Sequence, residues 1–471
     1  MLHVSTRGEA PAIAFNEALL TGLARDGGLY VPETWPQFTR EAIAALAGKS
    51  YAAAANEIVG ALVDGDVPAD ALSAMVADAY ATFRHPAVCP LTQVGDNLFV
   101  LELFHGPTLA FKDVAMQLLA RLMDHVLKQR GARATIVGAT SGDTGSAAIE
   151  AFAGLDQVDV FILFPHGRVS EVQRRQMTTV ASPNVHAIAL EGTFDDCQGI
   201  LKGLFNNHRF RDELALSGVN SINWARIAAQ VVYYFTAAVS LGAPHRPVSF
   251  TVPTGNFGDI LAGYVAKRMG LPVGRLGIAT NVNDILVRTL ATGRYEPAGV
   301  AATTSPSMDI QVSSNFERLL FEAGGRDAAA VRRMMTGLVQ SGAFTVEEPL
   351  LSAIRRDFFA GRADEAEVAA EIGITWREAG YLLDPHTAVG MVAARRALKE
   401  DAVTPMVVLS TAHPAKFPDA VQAASGVRPP LPPHLADLYE RPERFDVVAN
   451  DIAAVEAYVR ARARAARGVA A

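Results

Sequence analysis

Residues 134 to 152 read ATIVGATSGDTGSAAIEAF. A short apolar run ends in a turn rich in glycine and hydroxyls, and a helical stretch follows. The next two stretches, VDVFILFPHGRVSEVQRRQM (158 to 177) and NVHAIALEGTFDDCQGILKGLF (184 to 205), repeat that order. So do VSFTVPTGNFGDILAGYVAKRMG (248 to 270), RLGIATNVNDILVRTL (275 to 290) and TPMVVLSTAHP (404 to 414). Strands that are apolar throughout and alternate with helices predict an α/β fold with parallel sheets covered on both faces.

The helical stretch at 220 to 242 separates the two groups of units, so two α/β lobes are expected. Residues 1 to 95 are alanine-rich, with helical patterns at 40 to 63 and 68 to 83, and predict a helix-rich N-terminal domain that ends near Pro86 and Pro90. Residues 96 to 235 then form a smaller lobe and 236 to 471 a larger one, with added helices over 316 to 400 and a terminal helix that frays over 454 to 471. No fixed-period repeat or low-complexity linker interrupts this order.

At 471 residues and 19% charged residues, the composition is that of a globular protein with a large core. A net charge of -7 gives no electrostatic reason to expect nucleic acid as a partner. Cys89 and Cys197 are too few for a disulfide framework or a thiolate metal site, and no metal is expected. The first twenty residues lack the basic and apolar blocks of a secretory leader, and no apolar run is long enough to span a bilayer. No membrane association and a cytoplasmic location are therefore the default expectations.

In open α/β sheets, ligands gather outside the carboxyl ends of the strands. At one such point, PTGNFGDILAGYVA (253 to 266), Gly255, Asn256 and Gly258 precede a helix that begins near Asp259. Backbone N–H groups and a helix dipole converging there make an anion cradle, with phosphate the usual guest. Alternatively, the glycines serve only a tight strand-to-helix turn. At another, Thr140, Ser141, Asp143, Thr144 and Ser146 crowd Gly142 and Gly145, an arrangement suited to a carboxylate or phosphate, or to an elaborate helix cap.

Lysine occurs seven times, at 49, 112, 128, 202, 267, 399 and 416, and only Lys112 and Lys416 stand in motif-like settings. Lys112 opens the pattern KDVAMQLLARLMDHVLKQRG, in which Val114, Leu118, Leu122 and Val126 mark a core-facing stripe. A cation at a helix start, beside Phe111, is pushed toward the neutral amine that attacks carbonyls. The alternative is an exposed first-turn lysine. An amine nucleophile with a separate phosphate cradle, and no nucleotide motif, points to pyridoxal 5'-phosphate.

The segments HGPTLAFKDVAMQ, ATSGDTGSAAI, PHGRVSEVQRRQMTT, EGTFDDCQGI, NSINWARIAAQ, PTGNFGDILAGY, DPHTAVG and STAHPAKF resemble, in order, the motifs of the threonine synthase family. STRG and GLARDGGLYVP near the N-terminus are also similar to it, so the resemblance runs from residue 5 to 418. It implies the tryptophan synthase β-like fold (fold type II) of pyridoxal-phosphate enzymes, and conversion of O-phospho-L-homoserine and water to L-threonine and phosphate. It further implies that Lys112 binds the cofactor's aldehyde, that Gly255, Asn256, Phe257, Gly258 and Asp259 hold its phosphate, and that Thr411 meets its pyridine nitrogen. Ser141, Gly142, Asp143 and Thr144 would receive the substrate carboxylate, and Arg168, Ser170 and Lys416 are candidates for the substrate phosphate. His105, His386 and His413 are read as structural. A monomer or homodimer is expected. The competing readings are another fold type II lyase, such as a threonine dehydratase, and a non-catalytic relative that binds the cofactor or a phosphorylated metabolite.

Overall fold

The computed structural model describes residues 1–140 and 142–465. Two parallel sheets organise it. In the smaller, the strands run in the order Asp446–Val448, Val185–Leu190, Val158–Pro165, Ala134–Ala139, Leu216–Ser217, every neighbouring pair parallel. Each residue of Val158–Pro165 is buried, as a central strand with helices on both faces requires. In the larger sheet the order is Phe358–Arg362, Val273–Thr280, Val248–Pro253, Met406–Ser410, Leu98–Glu102, Leu91–Gly95; only the last pair is antiparallel.

The helix Trp224–Ser240, within the stretch that separates the groups of units along the chain, is apolar and buried nearly all round. It packs on the helices Lys112–Gln129, Gly258–Arg268 and Tyr51–Val63. That contact joins the N-terminal helices to the two helices that open at the chemically interesting turns. The predicted stripe of Val114, Leu118, Leu122 and Val126 is buried in the main core.

The boundaries read from the sequence need correction in three places. Leu98–Glu102 lies in the larger sheet beside Met406–Ser410, although it falls at the start of the segment assigned to the smaller lobe. The chain crosses back near its end: Asp446–Val448 extends the smaller sheet, and the helix Ile452–Arg462 packs Val455 and Val459 against Phe161 and Leu204. Short strands paired to partners hundreds of residues away leave no local periodicity to read. Finally, within 316 to 400, read as helix-rich, Phe358–Arg362 adds an edge strand.

The N-terminal region carries the expected helices, Tyr51–Val63 and Ala69–Tyr80, together with a small antiparallel sheet of Ile13–Ala14, Leu2–Ser5 and Tyr30–Pro32. The C-terminal helix ends at Arg462, and the predicted fraying beyond 465 lies outside the described residues. Among the described residues no helix is long and apolar enough to cross a membrane.

Candidate active site

Lys112 is the first residue of its helix and is 9% exposed, so it is not the solvated first-turn lysine of the alternative reading. Its position is fixed through the backbone. Phe111 N–H donates to the Thr411 carbonyl at 2.8 Å, His413 N–H donates to the Leu109 carbonyl at 3.0 Å, and Ala110 bridges Ala412. The segment that presents the lysine is thereby stitched to the end of the strand Met406–Ser410, which delivers Thr411. Asp113 secures the preceding loop by accepting from the Thr108 N–H at 2.8 Å and the Thr108 hydroxyl at 2.7 Å.

The Lys112 ammonium lies 3.7 Å from Asp143 Oδ2 and donates to Ser307 Oγ at 3.4 Å. Burial lowers its pKa to about 8, against the opposing pull of Asp143 and with help from Arg226 and Lys416. A sizeable neutral fraction near pH 8 is what an amine nucleophile or base needs.

Asp143 is the first residue of the helix Asp143–Phe152. Thr140 caps that helix by accepting from Gly142 N–H at 2.9 Å and Gly145 N–H at 3.0 Å, and Ser146 donates back to the Gly142 carbonyl at 3.1 Å. The Thr140 hydroxyl does the capping, which leaves Asp143 to the ions. Its Oδ1 accepts from Lys416 at 2.9 Å and from Gln173 Nε2 at 2.8 Å, and Ser307 Oγ donates to its Oδ2 at 3.4 Å. Burial alone would raise its pKa, but Lys416 and Lys112 overwhelm that effect and hold the carboxyl well below the usual carboxylate range. Gly142 has φ of 146°, and a Cβ there would strike the Gln173 amide. Thr144 is partly exposed, and Ser141 lies outside the described residues.

At the other turn, the strand Val248–Pro253 ends and Phe257, with φ of 63°, swings the chain into the helix Gly258–Arg268. The turn carbonyls are tied behind it: Gly255 O accepts from Ser313 Oγ at 2.7 Å, and Asn256 O accepts from Asn315 N–H at 3.1 Å and Asn315 Nδ2 at 3.0 Å. With the carbonyls held away, the N–H groups of residues 255 to 259 have no protein acceptor among the described residues. A Cβ at Gly255 would come within 2.8 Å of the Ser307 carbonyl, so the close approach of the two loops requires glycine there.

This donor set fits pyridoxal phosphate: unpaired amides on a helix N-terminus for its phosphate, a buried amine for its aldehyde, and the neighbouring Thr411 for its ring. Asp259 can enter the cradle only through its backbone. Its carboxylate turns away from the cradle, with Oδ1 accepting from the hydroxyls of Tyr233 and of Tyr234, the latter at 3.1 Å. Burial raises its pKa to about 7. The part of Asp259 that can meet an anion is its backbone N–H.

Lys416 is wholly buried, and its ammonium is shared between Asp143 and the Thr108 carbonyl at 2.7 Å. Arg168 stands exposed on the loop before the helix Glu171–Thr178, apart from this cluster. Ser170 caps that helix and donates to Gln173 Oε1 at 3.1 Å, which links it to Asp143 through the Gln173 amide. Among the histidines, His386 accepts from Ser307 N–H at 3.3 Å through Nε2 and meets Asp384 through Nδ1 at 2.9 Å. His413 caps Ala415, and His105 pairs with Glu102.

Sequence reasoning missed Ser307, Gln173, Ser313 and Asn315. Ser307 lies in SPSMD and Ser313 and Asn315 in SSNF, stretches whose serines and prolines read as ordinary loop. Gln173 sits inside the quoted segment PHGRVSEVQRRQMTT, where the arginine drew attention instead.

Family models match nearly the whole chain: "Threonine synthase N terminus" over residues 2–80, "Pyridoxal-phosphate dependent enzyme" over 86–347, and "Threonine synthase, C-terminal" over 387–459. Threonine synthase of Pseudomonas aeruginosa is 53% identical over 460 residues, covering 98% of each chain. The crystal structure of pyridoxal-phosphate-bound threonine synthase from Brucella melitensis superposes with a TM-score of 0.97 at 66% identity, over 98% of this chain and 100% of that one. At the level of fold alone, a processed threonine deaminase isoform 2 from Solanum lycopersicum matches with a TM-score of 0.50 and 12% identity, over 73% of this chain and 83% of its own. With its two parallel-sheet lobes of the fold type II kind, the chain belongs to the threonine synthase family of pyridoxal-phosphate-dependent enzymes.

Proposed function

We propose that this chain converts O-phospho-L-homoserine and water to L-threonine and inorganic phosphate, with Lys112 as its catalytic residue. The observation that carries the reading is the Lys112 amine, buried at a helix start 3.7 Å from Asp143 and stitched beside Thr411. When bound, pyridoxal phosphate supplies an electron sink conjugated to the substrate's α-carbon.

The residues of this chain supply the rest. The N–H groups of Gly255, Asn256, Phe257, Gly258 and Asp259 hold the cofactor phosphate. The Thr411 hydroxyl meets the pyridine nitrogen, and because it cannot enforce protonation as a carboxylate would, it favours elimination and replacement over transamination. Ser141, Gly142 and Thr144 receive the substrate carboxylate. The Asp143 carboxylate would repel that group, so it serves the lysines instead. With substrate bound, Lys112 Nζ would take and return protons at Cα and Cβ as phosphate leaves Cγ and water adds at Cβ. Arg168 and Ser170 remain candidates for the departing phosphate.

For its assembly we retain a monomer or a homodimer. The free, buried Cys89 and Cys197 accord with a cytoplasmic setting. As architectural units we retain the helix-rich N-terminal domain, the smaller lobe and the larger lobe, with residues 446 to 465 reassigned to the smaller lobe.

The test is to incubate the purified holoenzyme with O-phospho-L-homoserine and follow phosphate and threonine together. Equal release of both is expected. Phosphate with 2-oxobutyrate in place of threonine would move the reading to a dehydratase-like lyase, and no phosphate at all would overturn it.

A further inference from the structure

The two lysines in motif-like settings meet on one carboxylate. Asp143 Oδ1 is committed to Lys416 and Gln173, at 2.9 and 2.8 Å, while Oδ2 faces Lys112 at 3.7 Å and Ser307 at 3.4 Å. Lys416 is 0% exposed and its other bond goes to the Thr108 carbonyl. A buried ammonium spent in this way is not poised to greet an incoming dianion.

We propose that Asp143 positions the Lys112 amine and sets its proton affinity, and that Lys416 is the counter-ion that meters the Asp143 charge rather than a ligand of the substrate phosphate. This rests on the reading of Lys112 as the catalytic amine. Two positive groups share one negative one, so the three together carry a net positive charge at neutral pH when Lys112 is protonated. Removing Asp143 therefore leaves two facing cations and favours loss of the Lys112 proton. Removing Lys416 leaves a simple ion pair and favours its retention.

The other titratable groups facing this cluster have partners of their own. Arg226 projects from the helix Trp224–Ser240, where its Nη1 donates to the Val219 carbonyl at 3.1 Å. His386 faces Asp143 from the helix Pro385–Leu398 with Asp384 behind it, and Asp113 is turned to Thr108. None of them changes between the two variants below, so the contrast reads the Asp143–Lys416 pair alone.

The experiment uses Asp143→Asn and Lys416→Gln in the full chain, with far-ultraviolet circular dichroism as the check on folding. In the holoenzyme, the acid limb of the kcat profile should move down by about one pH unit in Asp143→Asn and up in Lys416→Gln. In the full chain freed of cofactor, competitive acetylation by acetic anhydride, read by mass spectrometry at Lys112 against the exposed Lys202, should move the same way. Shifts of the same sign in both variants, or an unmoved Lys112 midpoint in Asp143→Asn, would overturn the proposal. If Lys416→Gln fails to fold, the Asp143→Asn midpoint decides alone. Because acetylation needs no turnover, an enzyme that failed to make threonine would sink the proposed reaction without touching this result.

Discussion

Phe111 donates its backbone N–H to the carbonyl of Thr411 at 2.8 Å, across a sequence separation that spans most of the chain. One residue beyond Phe111 is Lys112, which we propose as the catalytic amine, and Thr411 itself is the residue we propose for the cofactor ring. On that proposal, one backbone contact couples the attachment point to the electronic partner, so a shift in one would move the other.

The first consequence concerns Lys112. Borohydride reduction of the holoenzyme should fix the cofactor on the peptide that contains Lys112, and Lys112→Ala should show no fixed cofactor and lose activity by about 1,000-fold or more. Cofactor fixed on another lysine would disprove the assignment.

Gly255→Ala tests the closeness of the two loops. Its Cβ would sit 2.8 Å from the Ser307 carbonyl, and moving that loop should cost about 1 to 3 kcal/mol of cofactor affinity. Equilibrium binding of pyridoxal phosphate to the freed chain, followed by absorbance, measures it; unchanged affinity would show that the loop yields freely.

Asp259 gives a pH dependence of stability. Its pKa rises from 3.8 unfolded to about 7 folded, so the folded state binds the extra proton and the group is least costly at low pH. Stability should fall as pH rises from about 4 to 7, by up to about 1.4 kcal/mol per pH unit. Asp259→Asn imitates the protonated form, since its carbonyl can still accept from both tyrosines. The difference in urea midpoint between wild type and variant should widen from pH 5 to 7 in favour of the variant, and a constant difference would refute the assignment.

Arg318 is fully buried and donates to the carbonyls of Tyr30 at 3.0 Å and Ile222 at 2.7 Å, as well as to the Asn315 side chain. Arg318→Leu strands those acceptors and should destabilise the fold by about 2 to 5 kcal/mol. Asn315 also holds the Asn256 carbonyl, so the variant should release cofactor more readily than wild type at temperatures below its own unfolding. A melting shift with no change in cofactor release would separate the two roles of Arg318.

Much of the site was legible because its chemistry is local. GNFGD and SGDTG each pack a strand end, a turn and a helix start into a few residues, and Lys112 stood out in a chain poor in lysine. What sequence could not show is what each group faces. Ser307 reaches Lys112 across 195 positions, and no periodicity links a loop serine to a helix so far away. Lys416 was recognisable as unusual, but a sequence carries no sign that its charge is consumed by Asp143. Asp259 could be placed in the turn, but not its carboxylate's partners, because the tyrosines that claim it lie on a different helix.

The strand Asp446–Val448 has a bearing on synthesis. It covers the Val185–Leu190 edge, and it emerges from the ribosome more than two hundred residues after that edge does. Until then the smaller lobe displays an unpaired row of backbone donors and acceptors, a template for wrong partners. A nascent chain thus completes the turn at 253 to 259 before it seals its own flank, and the interval between the two is when it would most benefit from a chaperone.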